Sequence, residues 1–217
     1  MGIFLNEQQK QDLWQSLCNV GVVRDNQHII LSSDMHTRIY ANLVPAGIPI
    51  ELLQQLVRWA AEEVGGLVKP DTIFMGIGCG FWYAAQVAHH YSRHCVYAEK
   101  STSGSLILRR DQGTAVEDHS VIVVDDVMTE GATFKRLHAL VDSCHGHHVA
   151  NVVFLDRSPH VTHSFVAGVP TYKMRQEAFP VWTAADCPSC IAGIPYSIQH
   201  GKGAEVFHLK GQPTKKS

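Results

Sequence analysis

Apolar and polar residues recur along this chain in two rhythms, and the switches between them mark out its elements. Residues 6–18 keep Leu13, Trp14 and Leu17 on one side of a helical period. Residues 28–32 (HIILS) and 38–44 (RIYANLV) read as strands around the polar turn Ser33 to Thr37. Pro49 suits the opening of a helix, Ile50 to Val64 carries an apolar stripe, and Gly65-Gly66 ends it. Strand and helix then alternate. Strands are predicted at Thr72–Gly76, His94–Ala98, 121–124, 148–155 and 169–174, and helices at 81–91 and 131–143. Such alternation implies an α/β protein with a central, mostly parallel sheet flanked by helices. Residues 99–118 are polar and without clear period, a long connection of the kind that serves as a functional lid. The tail from Lys210 is expected to fray.

Composition narrows the function classes. The 217 residues are 45% hydrophobic and 18% charged, enough for one full core. A formal net charge of −2 argues against nucleic acid as the main partner. No apolar run approaches the roughly 20 residues of a membrane span. The start, MGIFLNEQQK, lacks a basic signal-peptide region, and Asn6 stands where a myristoylation signal wants Ser or Thr. Six cysteines without a secretion signal suggest a reducing, cytoplasmic setting.

The run Val121-Ile-Val-Val-Asp-Asp-Val-Met-Thr-Glu-Gly-Ala-Thr133 carries the most chemistry. Four β-branched residues make a buried strand, and Asp125 and Asp126 sit at its carboxyl end, the edge at which open α/β sheets bind ligands. The small and hydroxylated residues that follow offer backbone N–H groups and hydroxyls to a phosphate. Carboxylates repel phosphate, so the acid pair must bind something else; sugar hydroxyls and a divalent cation fit.

This run resembles the phosphoribosyl-diphosphate (PRPP) signature of the type I phosphoribosyltransferases. The resemblance extends along most of the chain and is strongest to the orotate branch. Leu31-Ser-Ser-Asp-Met-His-Thr-Arg-Ile-Tyr-Ala-Asn42 is similar to a strand pair of that branch's hood. Gly76-Ile-Gly-Cys-Gly80, Tyr97-Ala-Glu-Lys100, Leu108-Arg-Arg110, Asp156-Arg-Ser158 and the Cys187-to-Pro195 segment follow in the branch's order. The resemblance implies one phosphoribosyltransferase domain over 1–217, with a core at about 49–175 and a small hood from about 1–48 and 176–209. It implies that Asp125 and Asp126 hold the ribose hydroxyls, with Mg²⁺ alongside PRPP rather than bound by the protein alone. Thr129, Glu130, Gly131, Ala132 and Thr133 would cradle the 5-phosphate, and Gly76, Gly78 and Gly80 would admit the pyrophosphate. Lys100, Arg109 and Arg110 would be catalytic cations on a mobile lid closing onto the neighbouring subunit of a homodimer. Thr129 and Arg157 would read the base, orotate, a guanidinium being suited to a planar carboxylate.

Three departures from the orotate pattern stand out. Ser103 and Ser105 occupy lid positions where one group of these enzymes has Lys and His. Asp34 replaces a glycine, and Phe81-Trp82 puts bulk beside the glycine loop. Another base, or a non-enzymatic PRPP-sensing regulator, is the rival reading; the chain shows no added DNA-binding domain or basic face. Cys187-Pro-Ser-Cys190 supplies two of the four ligands that zinc needs, and Cys144, His145, His147 and His148 form another cluster. Structural zinc and a plain turn with a buried thiol both stand at this point; redox chemistry fits less well.

Overall fold

The computed structural model describes residues 5–31, 33–158 and 164–203. In chain order its elements begin with α1 (Glu7–Asn19), β1 (Val23–Arg24), β2 (Ile29–Ile30), β3 (His36–Thr37), β4 (Tyr40–Ala41) and α2 (Ile50–Val64). They continue with β5 (Ile73–Ile77), α3 (Cys79–His90), β6 (His94–Lys100), β7 (Leu106–Leu108), α4 (Gln112–Val116), β8 (Ser120–Met128) and α5 (Ala132–Ser143). The last are β9 (His147–Asp156), β10 (Phe165–Val166), β11 (Val169–Gln176), β12 (Val181–Trp182) and α6 (Pro188–Ile191). They fall into two compact units, 1–20 with 43–178 and 21–42 with 179–217. Helix α1, expected in the hood, is grouped with the larger unit. No described helix is long and apolar enough to cross a membrane.

The larger unit is built on one seven-stranded sheet in the order β10-β11-β9-β8-β5-β6-β7. Its five central strands are parallel, and only the outer strands β10 and β7 run antiparallel. Both faces are covered. Met75, Val96, Val121, Val123 and Val153 pack in one apolar cluster with Val116 of α4 and Phe134, Leu137 and Val141 of α5. On the opposite parity, Phe154 meets Trp59 of α2 and Tyr83 of α3 at ring separations of 5.7 and 4.5 Å. Burial on both faces is why 121–124 of β8 and 152–155 of β9 read as unbroken apolar runs. Asn6 caps α1 in a reciprocal pair with Gln9, and Arg175 of β11 hydrogen-bonds Gln11 at 2.8 Å, which docks that helix on the sheet's unit.

Two expectations need correction. Residues 99–118 are not structureless. Leu106–Leu108 folds back as a hairpin on Ala98–Lys100, α4 follows, and Leu106 and Leu108 pack against the core cluster. The hairpin closes at a tight turn around Gly104, whose φ of 82° favours glycine. The second correction concerns 38–44, which is not one strand. Thr37 Oγ1 accepts from the Ile39 N–H at 3.2 Å and donates to the Pro180 carbonyl at 2.8 Å, and that side-chain turn ends β3.

The smaller unit holds a three-stranded antiparallel sheet, β12-β3-β2, and the pair β1-β4. Beyond β2, the Ser197 and Lys202 N–H groups donate to the carbonyls of His28 and Ile30. Asp34 lies in the β2-β3 turn with a φ of 62°, a left-handed conformation that Asp tolerates better than most residues. This explains how Asp stands where the orotate pattern has glycine. Its carboxylate pairs with Lys202 Nζ at 3.0 Å.

Candidate active site

Strand β8 runs through the middle of the sheet, and its last residues form the floor of the site. Asp125 pairs in register with Val153 and is 7% exposed, so the acid pair belongs to the strand rather than to a loop beyond it. Asp125 Oδ1 accepts from the Asp126 N–H at 3.0 Å, and Asp126 Oδ1 accepts from the Val127 N–H at 2.9 Å. Burial, reinforced by the Asp126 charge, pushes the Asp125 carboxyl well above the usual carboxylate range; burial also raises Asp126. Two desolvated carboxylates side by side are costly as bare anions. Hydroxyl donors or a hard divalent cation would relieve that cost, and an all-oxygen donor set suits Mg²⁺ shared with a ligand's own oxygens.

The three loop glycines do different things. Gly76 is buried, and a Cβ there would lie 2.5 Å from the Phe81 backbone. Gly80 is buried too; its Cβ would come within 2.6 Å of the Val124 carbonyl and 2.8 Å of Asp125 Oδ1. Both let the start of α3 lie directly on β5 and β8. Only Gly78, exposed and at a φ of 55°, faces the cavity.

That cavity, of about 510 Å³, is lined by Gly78, Tyr97, Lys100, Asp125, Asp126, Thr133 and Arg136, among others. A smaller recess of about 60 Å³ lies between Asp125 and the turn, lined by Thr129, Gly131, Ala132 and Thr133. Gly131, at a φ of 69°, caps α5, so the N–H groups of that helix's first turn flank the recess. Glu130 is exposed and lines neither space. A third, apolar hollow of about 550 Å³ shares Gly78 and is walled by Val44, Ala46, Leu53, Cys79 and Trp82.

Of the expected cations, Lys100 lines the cavity of its own chain. Arg109 is half exposed and pairs with Glu99 at 3.4 Å, and Arg110 is exposed; neither is part of the lining. Arg157 follows β9 directly, and its N–H donates to the Met128 carbonyl at 2.8 Å. That bond sets Arg157 next to Thr129 at the carboxyl edge. The neighbouring Asp156 is fully buried and engaged by Lys173 Nζ and the Ser158 N–H, each at 2.9 Å.

No family model matches the chain. It is 29% identical over 170 residues to an orotate phosphoribosyltransferase of Carboxydothermus hydrogenoformans, covering 77% of this chain and 86% of that protein. Among solved structures it is similar to an orotate phosphoribosyltransferase from Aeropyrum pernix, with a TM-score of 0.60 and 19% identity over 76% of this chain and 93% of that one. It is also similar to an adenine phosphoribosyltransferase from Leishmania tarentolae, with a TM-score of 0.60 and 18% identity over 80% and 90%. These likenesses show the type I phosphoribosyltransferase fold. Two residues of the cavity lining, Tyr97 and Arg136, had no role assigned from the sequence. Arg136 lies one helical turn beyond Thr133, the signal that places it on the same face. It also donates to the Gly104 carbonyl, tying the β6-β7 turn to α5.

Proposed function

We propose that this chain is a phosphoribosyltransferase that moves a 5-phosphoribosyl group from PRPP to orotate. The observation that carries the reading is the convergence of the acid pair, the 129–133 turn, Gly78 and Lys100 on connected cavities at one sheet edge. The ribose hydroxyls would meet Asp125 and Asp126, and the 5-phosphate the recess at the start of α5. Mg²⁺ bound with PRPP would neutralise pyrophosphate charge. Lys100 and Arg136 would face the leaving pyrophosphate, and cations aimed there stabilise the charge that grows as the C1–oxygen bond breaks. A base nitrogen takes the vacated position on C1, so the protein supplies positioning and electrostatics and no nucleophile. Lys100 lies in its own chain's cavity, which favours action in cis within a proposed homodimer over the expected reach to a neighbour.

Orotate is preferred on three grounds. The sequence relative is an orotate enzyme. Arg157 and Thr129 are adjacent at the edge, where a guanidinium suits the carboxylate of the base. Asp34, the one anion at odds with the orotate pattern, is balanced by Lys202. The test is pyrophosphate release from PRPP and Mg²⁺ with orotate, uracil, adenine and hypoxanthine side by side. Orotate should lead, and Arg157→Ala should cut its advantage by about one to two orders of magnitude, the worth of a hydrogen bond to a charged group. Turnover on a purine with none on orotate overturns the base assignment, and release with no base overturns the transfer itself.

A further inference from the structure

The smaller unit contains a cluster that phosphoribosyl transfer does not use. His28 precedes β2, His36 opens β3, and Cys187 and Cys190 sit at either end of the short turn of α6. One ligand atom from each lies within 4.8 Å of all the others, and three of the four side chains are buried. His28 Nε2 is 3.0 Å from His36 Nδ1, 3.7 Å from Cys187 Sγ and 3.4 Å from Cys190 Sγ; Cys190 Sγ is 3.2 Å from His36 Nδ1. Zn–S and Zn–N bonds of about 2.3 and 2.0–2.1 Å in a tetrahedron put ligand atoms about 3.3–3.8 Å apart. The cluster is already near that spacing.

We propose that His28, His36, Cys187 and Cys190 form a structural zinc site. Four protein ligands close the coordination sphere and leave no open position for substrate or water, the mark of a structural rather than a catalytic zinc. The surroundings fit. His28 Nδ1 donates to the Ile194 carbonyl at 2.6 Å, which leaves the Nε2 lone pair facing the other three ligands. Gly193, at a φ of 66°, turns the chain after the cysteines so that Ile194 comes back to make that contact. The unit also needs a staple. Apart from Cys187, its buried apolar residues among those described are Val22, Ile29, Ile30, Ala41 and Phe179. Its two segments are far apart in sequence, Cys187 lying 159 residues from His28. A metal joining them closes a long loop and adds the stability that a thin core lacks. The 144–148 cluster proves to be different: His148 Nε2 donates to the Ala150 carbonyl and its Nδ1 meets His138, with no cysteine partner in that pair.

The experiment is metal analysis of the full chain purified under reducing conditions without chelator, by mass spectrometry of the elements and by cobalt substitution. About one zinc per chain is expected, with cobalt giving the thiolate charge-transfer and strong d–d absorption of a tetrahedral S₂N₂ site. Cys187→Ser with Cys190→Ser should lose the metal, and Cys144→Ser should keep it. Because the double variant could misfold, alkylation of the wild-type thiols is the second readout. Cys187 and Cys190 should be protected until a chelator is added, and the chelator should lower the melting temperature. No zinc or cobalt uptake by the folded protein, full metal retention in the double variant, or protection of the two thiols that reductant alone removes (a disulfide) would each overturn the site.

Discussion

Replacing both acids, Asp125→Asn with Asp126→Asn, separates binding from stability, because the two should move in opposite directions. In the proposed complex each carboxylate accepts hydrogen bonds or binds cation, and a hydrogen bond to a charged group is worth about 1.5–3 kcal/mol. Losing both costs about 3–6 kcal/mol, or roughly two to four orders of magnitude in PRPP affinity. The unliganded protein should gain stability. Burial raises the Asp125 carboxyl above its unfolded value of 3.8, with the Asp126 charge adding to it. A carboxyl raised on folding favours the fold below its unfolded value, and that contribution is lost as pH rises through the folded value. At pH 7, above the unfolded value, the raised carboxyls therefore work against the fold, by about 1.4 kcal/mol for each tenfold change in proton affinity. The variant should melt higher than wild type at pH 7, and the gap should narrow as pH is lowered toward 4. Titration calorimetry with PRPP and Mg²⁺, and melting curves from pH 4 to 8, measure the two effects. Near-normal PRPP affinity refutes the assignment of the site. A lower melting temperature at pH 7 refutes the electrostatic argument.

Two further outcomes follow from packing. Gly80→Ala sets a Cβ against the Val124 carbonyl and Asp125 Cα, at 2.6 and 2.9 Å. Such overpacking costs about 1–3 kcal/mol, at about 2–4 °C in melting temperature per kcal/mol. Turnover should fall with it because Asp125 is displaced; an unchanged melting temperature contradicts this. His148 is 7% exposed, and burial, with His138 adding to it, pushes its imidazole down from 6.5 to about 4. The neutral ring's contribution is then complete above 6.5 and lost as pH falls from 6.5 to about 4, a loss of about 3 kcal/mol at most. His148→Gln should flatten the stability profile over that window relative to wild type, and parallel profiles would show that the ring does not titrate in this way.

The strand-helix alternation, the parallel sheet and the acid pair were legible in the sequence because each rests on local signals. An apolar run such as 121–124 is unbroken only when both faces are buried, and adjacent acids at its end have few structural uses. Strand β7 was not legible: Leu106-Ile-Leu108 is too short to show a period, and it becomes a strand only because Ala98–Lys100 lies opposite. The glycine loop looked uniform, yet Gly76 and Gly80 answer to the backbones of α3 and β8 while Gly78 alone faces the cavity. Arg109 looked equal to Lys100, and the ion pair with Glu99 separates them. The clearest division is at Cys187 and Cys190. Sequence spacing left Cys187 and Cys190 open as either a ligand pair or a plain turn, and could not show that the side chains set against them, His28 and His36, lie more than 150 residues away. Local rules determine which residues can form a strand, a turn or a ligand pair. Which distant groups meet is decided by the fold, because side chains far apart in sequence are brought together only when the elements between them have packed.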